Sequence, residues 1–119
     1  MNKGRKISGA KYHANRKSRL HERQSQERHV ILGAVKKKDI RGRGGHLRRI
    51  LLATNEVNLV SEKEIKKTTI KNVAETPQNR FLARQNRLMK GAIIETPLGK
   101  ARITNRPTRE GQINAILVK

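Results

Sequence analysis

Arg41-Gly42-Arg43-Gly44-Gly45 sets two guanidinium forks among three residues that have no side chain. A guanidinium carries a permanent charge on a planar fork that matches phosphate oxygens, and glycines let a backbone come close to a phosphate and offer it N–H groups. The pentapeptide lacks the Gly-Lys-Ser/Thr ending and the strand-to-helix setting of a mononucleotide loop, so it is weak as a nucleotide site. Contact with a polyanion backbone is the chemistry it suits. The plainer alternative is a flexible Arg-Gly linker, although this knot stands between apolar runs and outside any low-complexity tract. Cations crowd the same part of the chain. Of 29 lysines and arginines, 16 fall in the first 49 residues against three acids, which places +13 of the formal +20 charge there. The candidate RNA-contacting residues are Arg5, Lys6, Lys11, Arg16, Lys17, Arg19, Arg23 and Arg28 ahead of the knot, Lys36, Lys37 and Lys38 on its approach, the five knot residues, and Arg48 and Arg49 behind it. Like charges this dense repel one another, and the segment buries too little apolar surface to offset its ordering entropy without a polyanion partner.

No catalytic constellation forms. His13, His21 and His29 are spaced eight apart in a segment with no regular pattern, His46 is remote from them, and cysteine is absent. Zinc needs ligands in tight clusters, so stacking on RNA or hydrogen bonding to it is the better use for these rings. The acids stand singly, apart from Glu62 and Glu64 in a lysine-bearing turn, and nothing pairs a general acid with a base or builds a two-metal carboxylate cluster. Neither an enzyme, a metal nor a cofactor is expected.

The elements that must carry the basic groups follow from the patterning. Residues 1–29 show no periodicity and are expected to form an extended basic N-terminal arm, disordered when free; residues 30–119 are expected to form a small antiparallel β-barrel that includes the knot at 41–45. Val30 opens an apolar run that ends in Lys36-Lys37-Lys38, read as a first strand or the lip of the fold. His46 to Ala53 and Val57 to Val60 hold further short apolar runs, and the β-branched set from Ile65 to Glu75 favours one strand ended by Pro77. Asn79 suits the N-cap of one short helix from Arg80 to about Met89, whose i, i+4, i+7 spacing puts Arg80, Arg84 and Arg87 on one basic face, a further candidate RNA contact. Gly91 to Thr96, a tight turn at Pro97, Lys100 to Arg106, a loop at Pro107 closed by Gly111, and Gln112 to Val118 read as a three-stranded meander. Ala101 and Ile103 share one face with Lys100 and Arg102 opposite; Ile113, Ala115 and Leu117 share another. With 119 residues, 34% of them hydrophobic, and one Phe, one Tyr and no Trp, the core must be small and aliphatic. The fold class expected is mostly β, a barrel closed to hide its edges. No apolar run approaches the roughly 20 residues of a membrane helix, and no apolar signal segment opens the chain, so the expectation is a soluble protein that stays inside the cell and meets no membrane.

Taken in order, Arg5-Lys6-Ile7-Ser8-Gly9, Arg16-Lys17, the knot, Ile70 to Pro77, Lys90 to Thr96 and Leu98-Gly99-Lys100-Ala101-Arg102 resemble the eukaryotic-type small-subunit ribosomal protein eight family, a lineage of archaea and eukaryotes unrelated to the bacterial protein of that number. Eukaryotic members resemble it with a long insertion after the short helix. Arg87 here runs straight to Gly91, as in the archaeal form. His46 departs from the family's usual asparagine, and Thr108 stands where a glycine usually follows Arg-Pro. The resemblance implies a structural constituent of the small ribosomal subunit, cytoplasmic within the ribosome, with the arm threaded among ribosomal RNA helices and neighbouring ribosomal proteins as further partners, and no independent homo-oligomer. The alternatives are a ribosome-assembly factor sharing a similar domain and an architectural nucleic-acid-binding protein of chromatin.

Overall fold

Short apolar and β-branched runs separated by polar stretches recur along the chain after Val30, and the backbone answers with strands. The computed structural model describes residues 4–13, 15–23, 27–61 and 64–118. In chain order the elements are β1 (Val30–Leu32), β2 (Lys36–Arg41), β3 (Leu47–Thr54), β4 (Glu56–Val60), β5 (Ile65–Thr69), β6 (Asn72–Glu75), α1 (Arg80–Arg84), β7 (Arg87–Leu88), β8 (Ile93–Thr96), β9 (Gly99–Ile103), α2 (Pro107–Glu110) and β10 (Asn114–Leu117). They form a four-stranded sheet in the order β2-β3-β1-β7 and a six-stranded sheet in the order β5-β4-β10-β9-β8-β6, curled into a half-barrel. The mostly β class and the meander β8-β9-β10 are as the sequence predicts. Pairing is mainly antiparallel, with β1 on β3 and β10 on β4 as parallel exceptions.

Closure is where the expectation needs correcting. The six-stranded sheet ends at β5 on one side and β6 on the other, so it keeps two edges. Those edges meet at one corner, because the predicted single strand from Ile65 to Glu75 breaks after Thr69. Ile70 N–H donates to Asn55 O on the β4 side at 2.7 Å, and the next residue, Lys71, donates to Glu95 O on the β8 side at 2.8 Å. The chain thus steps across the mouth of the half-barrel, burying Ile70 as it passes. At the exposed β5 edge, Lys66 pairs with Glu64 and Lys67 with Glu56, charges of the kind that discourage edge-to-edge association. Glu62 and Lys63 of the predicted turn lie outside the described residues.

Both sheets feed one core: Val30, Leu51 and Leu88 from the smaller, and Val57, Leu59, Val73, Ile94, Ala101, Ile103 and Ala115 from the larger. It is aliphatic, as predicted; Phe81 and Tyr12 are exposed. The helix is shorter than predicted. Asn79 Oδ1 does cap it, accepting from Phe81 N–H at 2.9 Å, but Asn86 turns left-handed at φ +51° and sends Arg87 and Leu88 into β7 against Ile31 and Val30. Burying Leu88 on β1 outweighs continuing the helix, and asparagine tolerates that backbone region better than most residues. A second short helix, α2, occupies the predicted Pro107 loop, so the expectation of a single helix is also corrected. Pro107 starts it and Gly111 ends it at φ +72°, donating to Pro107 O at 3.0 Å.

Every described residue from Gly4 to Arg28 is exposed. The radius of gyration, 20.7 Å, far exceeds the roughly 13–14 Å of a compact chain of this length, because this N-terminal segment runs out from the body.

Candidate nucleic-acid interface

The knot sits at the tip of the β2–β3 hairpin. Cross-strand pairs run from Lys36 opposite Ala53 to Arg41 opposite Leu47, and a single 3-10 turn, Arg43–Gly45, joins the strands. Gly44 and Gly45 have φ of +76° and +78°, left-handed values that strain any residue with a Cβ. Gly42 N–H closes the turn on His46 O at 2.7 Å, and a Cβ on Gly44 would lie 3.4 Å from Cδ2 of the His46 ring. His46, the departure from the family pattern, therefore serves the turn with its backbone and covers Gly44 with its ring. From Lys36 to Arg49 only Ile40 is even half-buried. β1 pairs with β3 at Ala53 and Thr54, so the tip of the hairpin projects beyond the body.

Not every predicted cation is available. Arg49 Nε and Nη2 donate to Asp39 Oδ1 and Oδ2 at 2.8 and 3.1 Å, directly across the strands. This hydrogen-bonded fork holds the Asp39 carboxyl below the usual carboxylate range and raises Arg49. In the arm, Arg16 grips Glu22 in the same way at 2.9 and 3.0 Å, and Arg19 N–H joins at 2.9 Å, which lowers Glu22. Among the described residues no carboxylate lies within ion-pair distance of Lys36, Lys37, Lys38, Arg41, Arg43 or Arg48. Their charge stays open to an external anion. The arm's remaining contacts are local: Arg5 donates to Gly9 O at 2.9 Å and faces Lys11 across a short bridge, while Lys6 stands 5.7 Å from the Tyr12 ring. Lys17, Arg23 and Arg28 are exposed.

The predicted basic helix face divides. Arg80 and Arg84 line a groove of about 650 Å³ between α1 and the free edge of β6, with Arg84 5.7 Å from the Phe81 ring. Arg87 lies off the helix, in β7, where Nε reaches Gln85 Oε1 at 3.4 Å. A set that sequence reasoning did not name gathers instead around a cleft of about 480 Å³, where Lys90, Arg102, Arg106 and Arg109 join Arg28. Alternation had marked Arg102 only as the solvent side of a strand. What unites them is the fold-back of α2 onto β3, for which the single strong signal was Pro107 with Gly111. Among the described residues no three His, Asp or Glu side chains cluster as metal ligands, and no helix is long and apolar enough to cross a membrane.

An aliphatic half-barrel bearing a basic arm, a basic hairpin and a basic cleft defines a class: a small, mostly β protein with a strongly basic surface. The chain belongs to the Ribosomal protein S8e family, whose profile matches residues 1–118. It is 38% identical over 117 residues to small ribosomal subunit protein eS8 of Methanocorpusculum labreanum, covering 97% of this chain and 94% of that protein. Its identity to the proteins of the same name is 41% over 120 residues in Sulfurisphaera tokodaii (97% and 92% covered) and 36% over 115 residues in Haloarcula marismortui (97% and 94% covered). The family is one of structural ribosomal proteins, not enzymes.

Proposed function

We propose that this protein is a structural constituent of the small ribosomal subunit that binds and stabilises small-subunit ribosomal RNA during translation in the cytoplasm, beside neighbouring ribosomal proteins. The observation that carries the reading is the β2–β3 hairpin. From Lys36 to Arg49 it is solvent-exposed at every residue but Ile40, it carries six cations that have no carboxylate in ion-pair distance among the described residues, and it tightens at its tip into two left-handed glycines. The base of the hairpin is held by β1 and α2, but its outer part around the tip buries no apolar side chain, so packing gives little reason for that extension, whereas a phosphate backbone does. The arm acts in the same way, gaining order as its cations displace the counterions condensed on RNA, and the half-barrel anchors both. Packed RNA helices then approach where phosphate repulsion would hold them apart. The test is co-sedimentation in high-salt sucrose gradients: the full chain is expected to travel with small subunits and with translating ribosomes. A chain that leaves once the subunit matures is an assembly factor, and one that prefers duplex DNA to RNA at physiological salt is an architectural protein of another kind.

A further inference from the structure

The cleft beneath α2 has its own chemistry, separate from the arm and the hairpin tip. Five cations rim it: Arg28 where the arm joins the body, Lys90 after β7, Arg102 on β9, and Arg106 and Arg109 at α2. Leu88, Met89 and Pro107 supply an apolar floor; Leu88 and Pro107 are buried and Met89 half-buried. Among the described residues no carboxylate lines the cleft. Glu110, the acid next to it in sequence, is held by Asn105 Nδ2 at 2.9 Å and by the backbone N–H of Arg106 at 3.2 Å; it feels the charge of Lys90, but among the described residues no carboxylate forms an ion pair with Arg28, Arg102, Arg106 or Arg109. The walls are tied down before any ligand arrives: Gln78 Nε2 donates to Lys90 O at 2.8 Å, and Gly91 N–H to Ile103 O at 2.7 Å.

We infer that this cleft binds an unpaired stretch of RNA. The inference rests on the RNA-binding reading above and adds a specific site on the body. A duplex offers a convex rail of phosphates, which suits a projecting hairpin. A concave site inside a cationic rim suits a nucleotide free of its stack, whose base or ribose lies over the half-buried Met89 while the flanking phosphates meet Arg102, Arg106 and Arg109. A volume of about 480 Å³ lies within the roughly 300–1,000 Å³ typical of small-ligand pockets. Arg28 brings the root of the arm to the same RNA segment.

Two measurements on the full chain test this. In the first, a short single-stranded RNA and an RNA duplex are titrated across salt against Arg102→Ala/Arg106→Ala/Arg109→Ala and against an equal charge loss elsewhere, Lys66→Ala/Lys71→Ala/Lys100→Ala. The arginine variant is expected to flatten the slope of log affinity against log salt for the single strand by about 0.7 per contact removed, and to weaken single-strand binding several-fold more than duplex binding. The lysine variant should keep the parent slope. Equal losses in the two variants, or for the two RNAs, overturn the site. The second measurement exploits the lack of cysteine. Thr108→Cys, in the cleft wall, and His46→Cys, directly after the knot, each carry an iron chelate that releases hydroxyl radicals within assembled small subunits. RNA scission from both positions is expected. Scission from the knot alone removes the cleft and leaves the proposed function standing; scission from neither overturns both.

Discussion

At Gly44 charge and backbone shape can be separated by experiment. Replacing Arg41 and Arg43 together by Ala is expected to weaken RNA association with the melting temperature almost unchanged, because exposed arginines contribute little to folding. Gly44→Val keeps both charges but forces a β-branched side chain to φ +76°, a strain of about 1–2 kcal/mol, and should impair entry into small subunits. Normal incorporation of the valine variant would reduce the knot to a flexible linker. Asp39→Asn tests the neighbouring pair in the opposite direction: it releases the Arg49 fork, so RNA affinity and its salt dependence should both increase in filter-binding titrations. Because pairing lowers the Asp39 carboxyl in the folded chain, what little stability it adds is complete above the unfolded value of about 3.9 and is lost as pH falls through the lower folded value. Thermal melts of parent and Asp39→Asn should therefore differ by the same small amount at pH 6 and pH 8, and converge in acid. The knot was legible because glycine among arginines has few uses. That Arg49 and Arg16 are held by carboxylates was not, since partner choice depends on strand register and turn geometry that composition does not encode.

Among the elements, β9 and β10 were the most legible because one face of each is wholly apolar. Ile103→Ala is expected to cost about 2–5 kcal/mol, a large share of the stability of so small a body, whereas Leu117→Ala should cost less because Leu117 is only partly buried against the core. Lys100→Ala and Arg102→Ala should be near neutral in the same melts. Melts in which the charged positions prove costly would invert the faces. The sequence also predicted the cap of α1 but overran its end, because helical spacing continues through Leu88 while the competing partner, Val30, lies far away in the chain. The break between β5 and β6 escaped for a similar reason: local β propensity is uniform through Ile70, and only the two different partners, Asn55 and Glu95, divide it. α2 is four residues long, too short for any periodic signal. Gly111 is needed for its left-handed backbone at φ +72° and not for space, since a Cβ there would lie 3.6 Å from Arg49 O, an ordinary contact.

For the whole molecule, the separation of arm from body predicts that deleting residues 1–29 leaves circular dichroism of the half-barrel intact while RNA affinity falls and its salt slope flattens by roughly 0.7–0.9 per lost phosphate contact. An unfolded truncation, or an unchanged slope, would count against the division. The placement of β10 bears on the order in which the protein becomes itself. It lies between β4 and β9, and its Asn114 accepts from the side chain of Asn58, 56 residues earlier. At roughly 5–20 residues per second of synthesis, β4 waits on the order of 3–11 s for the neighbour that completes its side of the sheet. The basic segments ahead of β4 have by then left the site of synthesis, ready to find a polyanion while the body is still half a sheet. Late completion of this kind leaves the β4 edge of a growing chain open to unproductive pairing until β10 arrives to cover it.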